Sequence, residues 1–481
     1  MHWVRWIVRS HLLRGFKKMI TMKFGGTSVG DITRLREITE IVRTHVGQQP
    51  VVVASAMSGV TDLLLEAAHA SVRRELGKIR ATMENLRQKH LHVAEELIVL
   101  PELRRKLVDN QAHLLDELEN ICMGINYLEE LSPRSLDAVA SFGERFSCMQ
   151  IAAIFEDNGI AAFYVDTREL IRTDAHFGQA AVDFSISNEK ISKALLPLLE
   201  RNIVPVVTGF IGSTDDGITT TLGRSGSDYT GSIIGAALHS DEIWIWTDVD
   251  GVMTADPRHV KGARPLARIS YREAAEMSYF GAKVIHPKTM LPAIENSIPI
   301  RIKNTFNPTH PGTLISDQTE ITTGVVKNVT SIDDLGLVTI EGHGMLGVPG
   351  VSARIFTALA RVDVNVMMIS QASSEHNVCL VVPHQDCSRA VDELRREFAS
   401  DISCRLIDDV RLMEKVAIIA IVGEGMRGVP GIAAKIFAAA AQENVNIIAV
   451  AQGSSELNIS LVVDQKDARR AVQAIHGQTI D

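Results

Sequence analysis

The sequence predicts an α/β protein built on a large, mostly parallel sheet with helices on its faces, followed by two small α/β units. Three observations carry that expectation. Short, wholly apolar runs such as VVVAS at Val51–Ser55 alternate with segments of helical period, the pattern of strands buried on both faces. Glycine- and hydroxyl-rich turns follow such runs, as KFGGTS from Lys23 and TLGRSGSDYT from Thr221. Near the C-terminus one passage is written twice, GHGMLGVPGVSARIF from Gly342 and GEGMRGVPGIAAKIF from Gly423.

Taken in order, MHWVRWIVRSHLLRGFKKMI carries Arg5, Arg9, Arg14, Lys17 and Lys18, with no acid before Asp31. Transit peptides and membrane-surface helices have such compositions. The abrupt start of a core strand at Ile20 favours a frayed arm or an early start, so residues 1–19 are assigned no function. ITMKFG reads as the first strand, Ile32–Val46 as a helix, and VVVAS as the second strand. Residues 62–132, rich in Leu, Glu, Lys and Arg and poor in Gly, read as a helical insertion, with His90, Leu91 and His92 at its surface rather than as ligands. Strands at Val204–Thr208, Glu242–Thr247 and Pro299–Lys303 extend the sheet, placing one domain at 20–320 and the two small units at 330–402 and 412–481.

At 481 residues the chain exceeds a single core, and 46% hydrophobic content with mean hydropathy near zero describes a globular protein. No apolar run is long enough to span a bilayer. Lys and Arg number 49 against 58 Asp and Glu, a net charge of −9, which argues against nucleic acid as a partner. Small molecules and further copies of the chain are left. Five cysteines without Cys-x-x-Cys spacing read as free thiols in a reducing cytoplasm, not as disulfides or a zinc site.

The chemistry-bearing residues cluster at strand ends. Gly25 and Gly26 let backbone N–H groups close around an anion while Lys23 supplies a compact charge. The Thr220–Thr230 loop repeats this at the start of a helix through Ile233 and Ala236. Arg224 there suits a carboxylate, and Asp228 needs either Lys23 or a cation beside it. Thr247 and Asp248 end a strand, Asp256 and Arg258 follow, and Lys283 adds a cation.

In combination these residues resemble the amino-acid kinase superfamily, and within it the aspartate kinases. KFGGTS, ASAMSGVTDLL from Ala54, SFGER from Ser141, LGRSGSDYT from Leu222, WTDVDGVMTADPR from Trp246 and EMSYFGAKVIHPKT from Glu276 stand in that family's order. The resemblance implies an amino-acid kinase fold and transfer of phosphate from ATP to the β-carboxylate of L-aspartate. It assigns ATP to Lys23, Phe24, Gly25, Gly26, Ser55, Ser227, Thr247, Asp248, Met253, Asp256, Arg258 and Lys283. It assigns aspartate to Thr61, Glu144, Arg224 and Ser227, with Lys23, Asp228 and Arg224 as the catalytic set. Mg2+ is expected to ride on the phosphates, with no certain protein ligand. The chain departs from the family at Met253, often Tyr, and at Ser225, often Gly; the latter asks whether that loop needs a positive φ.

The repeat keeps one register, with Asn365, Gln371 and Asn377 matched by Asn446, Gln452 and Asn458. Glycine turns beside Asn and Gln at strand ends suit an amino acid's carboxylate and ammonium, although duplicated packing modules would look alike. The units resemble ACT domains, ferredoxin-like βαββαβ modules, most closely those of threonine-sensitive aspartate kinases. That resemblance implies an amino-acid effector, threonine favoured and lysine possible, at those six residues. It also implies a homo-oligomer through the ACT units, a dimer or dimer of dimers, and insertion of the first unit into the second near Val325–Ser331. Relatives of this type often continue into homoserine dehydrogenase, so a chain stopping at Asp481 is expected to be a kinase alone. A sensor that has lost catalysis, or an enzyme for another acceptor such as glutamate or UMP, are the rival readings.

Overall fold

A computed structural model describes residues 18–281, 285–317, 325–346, 348–371 and 376–480. Residues 1–17, with most of the basic arm, and Lys283 lie outside them. The chain divides into two compact units: Met1–Gly251, Ala267–Tyr271 and Ile285–Gln318 form the first, and Val252–Leu266, Arg272–Val284 and Thr319–Asp481 the second.

In the first unit β1 (Ile20–Phe24) leads to α1 (Ile32–His45), whose N-terminus Asp31 caps by accepting from Arg34 N. Next come β2 (Pro50–Ala54), α2 (Val60–Val72), α3 (Leu76–Leu97), α4 (Pro101–Leu128), α5 (Pro133–Ala140) and α6 (Phe142–Asp157). Then follow β3 (Ala162–Val165), α7 (Phe184–Glu200), β4 (Val204–Thr208), the hairpin β5 (Ile211–Ser213) and β6 (Thr219–Thr221), α8 (Gly226–Leu238) and β7 (Glu242–Thr247). The unit ends with β8 (Arg268–Ser270), α9 (Tyr271–Tyr279), which runs on into the second unit, α10 (Pro287–Glu295), β9 (Ile300–Asn304) and β10 (Thr313–Ser316).

Among the described residues the main sheet has the order β3-β4-β2-β1-β7-β9-β10-β8. Every pair from β3 to β9 is parallel, and β10 runs antiparallel to β9. Alternation along β2 explains its wholly apolar run. Val52 and Ala54 enter a core with Ile38, Leu64 and Phe146, while Val51 and Val53 enter another with Ile191, Leu195 and Ile233. Parallel neighbours put the C-terminal ends of β1, β2, β4 and β7 on one edge, where open α/β sheets bind ligands.

The insertion is helical, but His90 is not a surface residue. It is 2% exposed, its Nδ1 lies 2.9 Å from Gln150 Oε1, and its ring stacks on Phe146. Burial pushes the imidazole down to about 4. Helical period locates a face without saying what covers it, and here α6 covers it; His92 is exposed.

In the second unit β11 (Asn328–Glu341) precedes α11 (Val351–Arg361), β12 (Met368–Gln371), β13 (Asn377–Pro383), α12 (Cys387–Glu397) and α13 (Ala399–Ser403). The second repeat holds β14 (Asp409–Val422), α14 (Ile432–Gln442), β15 (Ile447–Gln452), β16 (Asn458–Asp464) and α15 (Gln465–Thr479). The sheet order is β12-β13-β11-β14-β16-β15, all antiparallel. β11 and β14 pair along nearly their whole length, so Asn328–Ile332 complete the second repeat's sheet and Asp409–Met413 the first's. Each repeat keeps its own core, one around Ile355, Leu380 and Phe398 and the other around Ile419, Ile436 and Leu461.

Candidate active site

Lys23 lies one residue before the end of β1 and is 7% exposed. Its stem passes over Gly231 of α8, where a Cβ would sit 3.2 Å from Lys23 Cβ. Its Nζ reaches 2.5 Å from Asp228 Oδ1 in the first turn of that helix. This is an ion pair without hydrogen-bond alignment, and Asp228 Oδ1 has no aligned donor. The Phe24–Gly25 turn is tied to both neighbouring strands: Ser55 N donates to Phe24 O at 3.1 Å and Gly25 N to Trp246 O at 3.4 Å.

A cavity of about 700 Å³ opens at this edge, lined by residues that include Gly26, Ser55, Thr61, Glu144, Arg224 and Ser227. All four residues expected for aspartate are therefore brought together. Two helices begin on its wall, α2 behind Gly59 and α8 behind Ser225, and neither has a side-chain cap. The first N–H of each, Val60 N and Gly226 N, turns back to Met57 O and Gly223 O at 3.0 and 2.9 Å, and both helix dipoles favour an anion at the N–H groups that follow. Ser225 adopts φ 56°, so the loop does take a left-handed residue where glycine would be unstrained.

Glu144 lies in the first turn of α6, almost fully buried. Its Oε1 accepts from Ala56 N at 3.2 Å, and its Oε2 has no hydrogen-bond partner among the described residues. Burial raises its carboxyl to about 8, against the opposing pull of the Ala56 N–H and Lys23. A buried acceptor with a vacant oxygen suits an ammonium, and exposed Arg224 on the same cavity suits a carboxylate. Ser55 Oγ donates to Ser227 Oγ at 2.9 Å, joining the ends of β2 and α8.

Other expected residues stand apart. Thr247 ends β7 and donates to exposed Asp248 at 3.2 Å; neither is among the residues lining the cavity. Met253, Asp256 and Arg258 group with the second unit. There Asp256 and Arg258 pair with each other at 2.5 Å, and Met253 O accepts from Asn328 Nδ2. Asp137, unmarked in sequence, lines the cavity and accepts three hydrogen bonds. Its only signal was an acid inside the apolar helical stretch LDAVASF.

In the first repeat a separate cavity of about 390 Å³ is lined by residues that include Met345, Gly350, Ser352, Gln371 and Val378. Asn377 opens β13 beside it, and Asn365 is exposed before β12. In the second repeat Gln452 ends β15 and Asn446 precedes it, both exposed. Asn458 Nδ2 is already engaged by Ser460 Oγ at 3.0 Å and Glu276 Oε2 at 3.4 Å.

Comparison with known proteins agrees with this architecture. Residues 18–304 match the Amino acid kinase family, and 338–398 and 419–478 match the ACT domain. The chain is 37% identical to bifunctional aspartokinase/homoserine dehydrogenase 1, chloroplastic, of Arabidopsis thaliana, over 98% of this chain and 52% of that protein. It thus spans about half the length of the first curated relatives it matches. Aspartokinase 3, chloroplastic, of Arabidopsis thaliana is 34% identical over 96% of this chain and 81% of the relative. Aspartokinase III of E. coli superposes with a TM-score of 0.78 in complex with aspartate and ADP (R-state), over 96% of this chain and 99% of that one. With lysine and aspartate (T-state) the score is 0.77, over 96% and 100%; both are 31% identical. With the kinase unit, the paired ACT repeats and full-length likeness to aspartokinases all in place, the chain belongs to the amino acid kinase family, among its aspartokinases.

Proposed function

We propose that the chain transfers the γ-phosphoryl group of ATP to the β-carboxylate of L-aspartate, giving 4-phospho-L-aspartate and ADP. The observation that carries this is one cavity presenting a buried, half-satisfied carboxylate, Glu144, and a guanidinium, Arg224, beside two uncapped helix N-termini. Glu144 receives the α-ammonium and Arg224 a carboxylate, with Thr61 and Ser227 adding hydroxyls. Lys23, Phe24, Gly25, Gly26 and Ser55 serve the phosphates. The nucleoside assignments to Thr247, Asp248, Met253, Asp256, Arg258 and Lys283 rest on motifs alone.

The β-carboxylate has a reference pKa of about 3.9 and is ionised at neutral pH, so no base is needed. Its oxygen bonds to the γ-phosphorus as the bond to the β,γ-bridging oxygen breaks, and ADP leaves with that electron pair. The residues must bring two anions together. Lys23 and the α8 N-terminus stabilise charge on the transferring group, and Glu144 with Arg224 fixes the acceptor. Asp228, the carboxylate paired with Lys23, would help to hold an Mg2+ riding on the phosphates, and the cation would supply further charge neutralisation.

Regulation is proposed first at the first repeat, where Gln371 lines a cavity of amino-acid size. Threonine is the effector favoured by the motifs and lysine the alternative. The ACT units are proposed to join a homo-oligomer. We place the enzyme in the cytoplasm, a reading supported by five unpaired cysteines. ADP release measured with aspartate, glutamate and UMP in turn tests the substrate. Release with aspartate alone is expected; none with any acceptor favours the sensor reading.

A further inference from the structure

Asp137 sits in α5, 3% exposed, with no part in the chemistry above. Its Oδ2 accepts from Gly178 N and from Thr221 N, each at 2.9 Å, and its Oδ1 accepts from Thr221 Oγ1 at 2.7 Å. Thr221 O in turn accepts from Ala180 N at 3.0 Å. One carboxylate thus knots α5, the loop around Gly178 and the last residue of β6. Two residues separate Thr221 from Arg224. The turn between them is set against the same loop, because Gly223 takes φ 79° and a Cβ there would lie 3.2 Å from Gly178 O. On its other side α5 passes into α6 through Ser141 alone, and α6 carries Glu144 in its first turn.

We infer that Asp137 is a positioning residue that fixes the spacing between Glu144 and Arg224, and so fits the cavity to a four-carbon amino dicarboxylate. The inference rests on the proposed aspartate reading. A bound acid gripped at both ends is sensitive to that spacing, whereas phosphate held by the β1 turn and α8 N–H groups is less so.

The test compares Asp137→Ala, Asp137→Asn and Thr221→Val with the wild-type chain by steady-state ADP release. Asp137→Ala leaves two amide N–H groups without their acceptor and is expected to raise KM for aspartate about tenfold or more, with KM for ATP changing less than about threefold. Asp137→Asn can turn its carbonyl to both N–H groups and its amide to Thr221 Oγ1, so it should restore KM to within about twofold. Thr221→Val removes only the hydroxyl and should raise KM for aspartate about threefold, leaving KM for ATP unchanged. A lowered Tm in Asp137→Ala with KM for aspartate unchanged would show a merely structural role and overturn the inference. Asn as damaging as Ala would also overturn it, by showing that charge and not geometry matters. Should the Ala variant fail to fold, Thr221→Val decides, an unchanged KM counting against. Wild-type chain that releases no ADP with aspartate overturns the functional reading itself.

Discussion

Glu144 shows how one burial sets both affinity and stability. With its carboxyl raised to about 8 from a reference of 4.5, the ligand-free folded chain holds a proton that the unfolded chain releases near 4.5. Folded stability from this group is therefore lost as pH rises through that window. Glu144→Gln should match wild-type Tm near pH 4.5 and exceed it by a margin that grows up to about pH 8 and levels off above it, as thermal melts across pH would show. The same variant should bind aspartate poorly at every pH. In the wild-type chain KM for aspartate should fall as pH rises from about 6.5 to 8.5, since an ammonium needs the ionised carboxylate. A flat wild-type profile would contradict the role. Glu144 was legible in sequence only through the SFGER motif; its vacant Oε2 and lifted pKa come from packing α6 against the end of β2, which no local pattern encodes.

The start of α8 concentrates the element-level chemistry. Ser225 holds a left-handed backbone that costs a residue with a Cβ roughly 1 kcal/mol. Glycine gives the unfolded chain more entropy and so offsets part of that relief; Ser225→Gly should raise thermal stability by less than that amount, with kcat within about twofold, whereas a loss of stability well beyond that offset would mean the Ser side chain is needed. The strands named from sequence, β1, β2, β4, β7 and β9, were readable as short, mostly apolar runs, and β4 and β7 match their sequence bounds, whereas β3, β5, β6, β8 and β10 are too short or too polar to stand out. The inward turn of His90 and the three-way knot at Asp137 were not, since both depend on partners far along the chain. At the effector repeats the sequence treats Gln371 and Gln452 alike; in the structure Gln371 lines a cavity and Gln452 is exposed at the end of β15. Gln371→Ala should raise the half-inhibitory effector concentration about tenfold with uninhibited kcat unchanged, and Gln452→Ala should do so less. Equal effects would return both repeats to the same standing.

At the scale of the whole chain, the register of the repeat and the order of six motifs foretold the two-part organisation. The grouping of Val252–Leu266 and Arg272–Val284 with the ACT-containing unit was not legible, because contact and not sequence order decides it. Thr254 Oγ1 lies 2.9 Å from His476 Nε2, and Ala255 and Val260 enter the core of the second repeat. Effector and substrate that influence one another must do so reciprocally. Whatever factor the effector adds to the dissociation constant of aspartate, aspartate should add to that of the effector, as calorimetric titrations in both orders would show; unequal factors would rule out a single linked equilibrium.

The central claim is that the product is an acyl phosphate on the β-carboxylate, and hydroxylamine trapping tests it most directly. With ATP, Mg2+ and aspartate the wild-type chain should form β-aspartyl hydroxamate in step with ADP. Lys23→Ala should form it about a hundredfold more slowly or less, while retaining aspartate binding. ADP release without hydroxamate, or an undiminished rate in Lys23→Ala, would contradict the account.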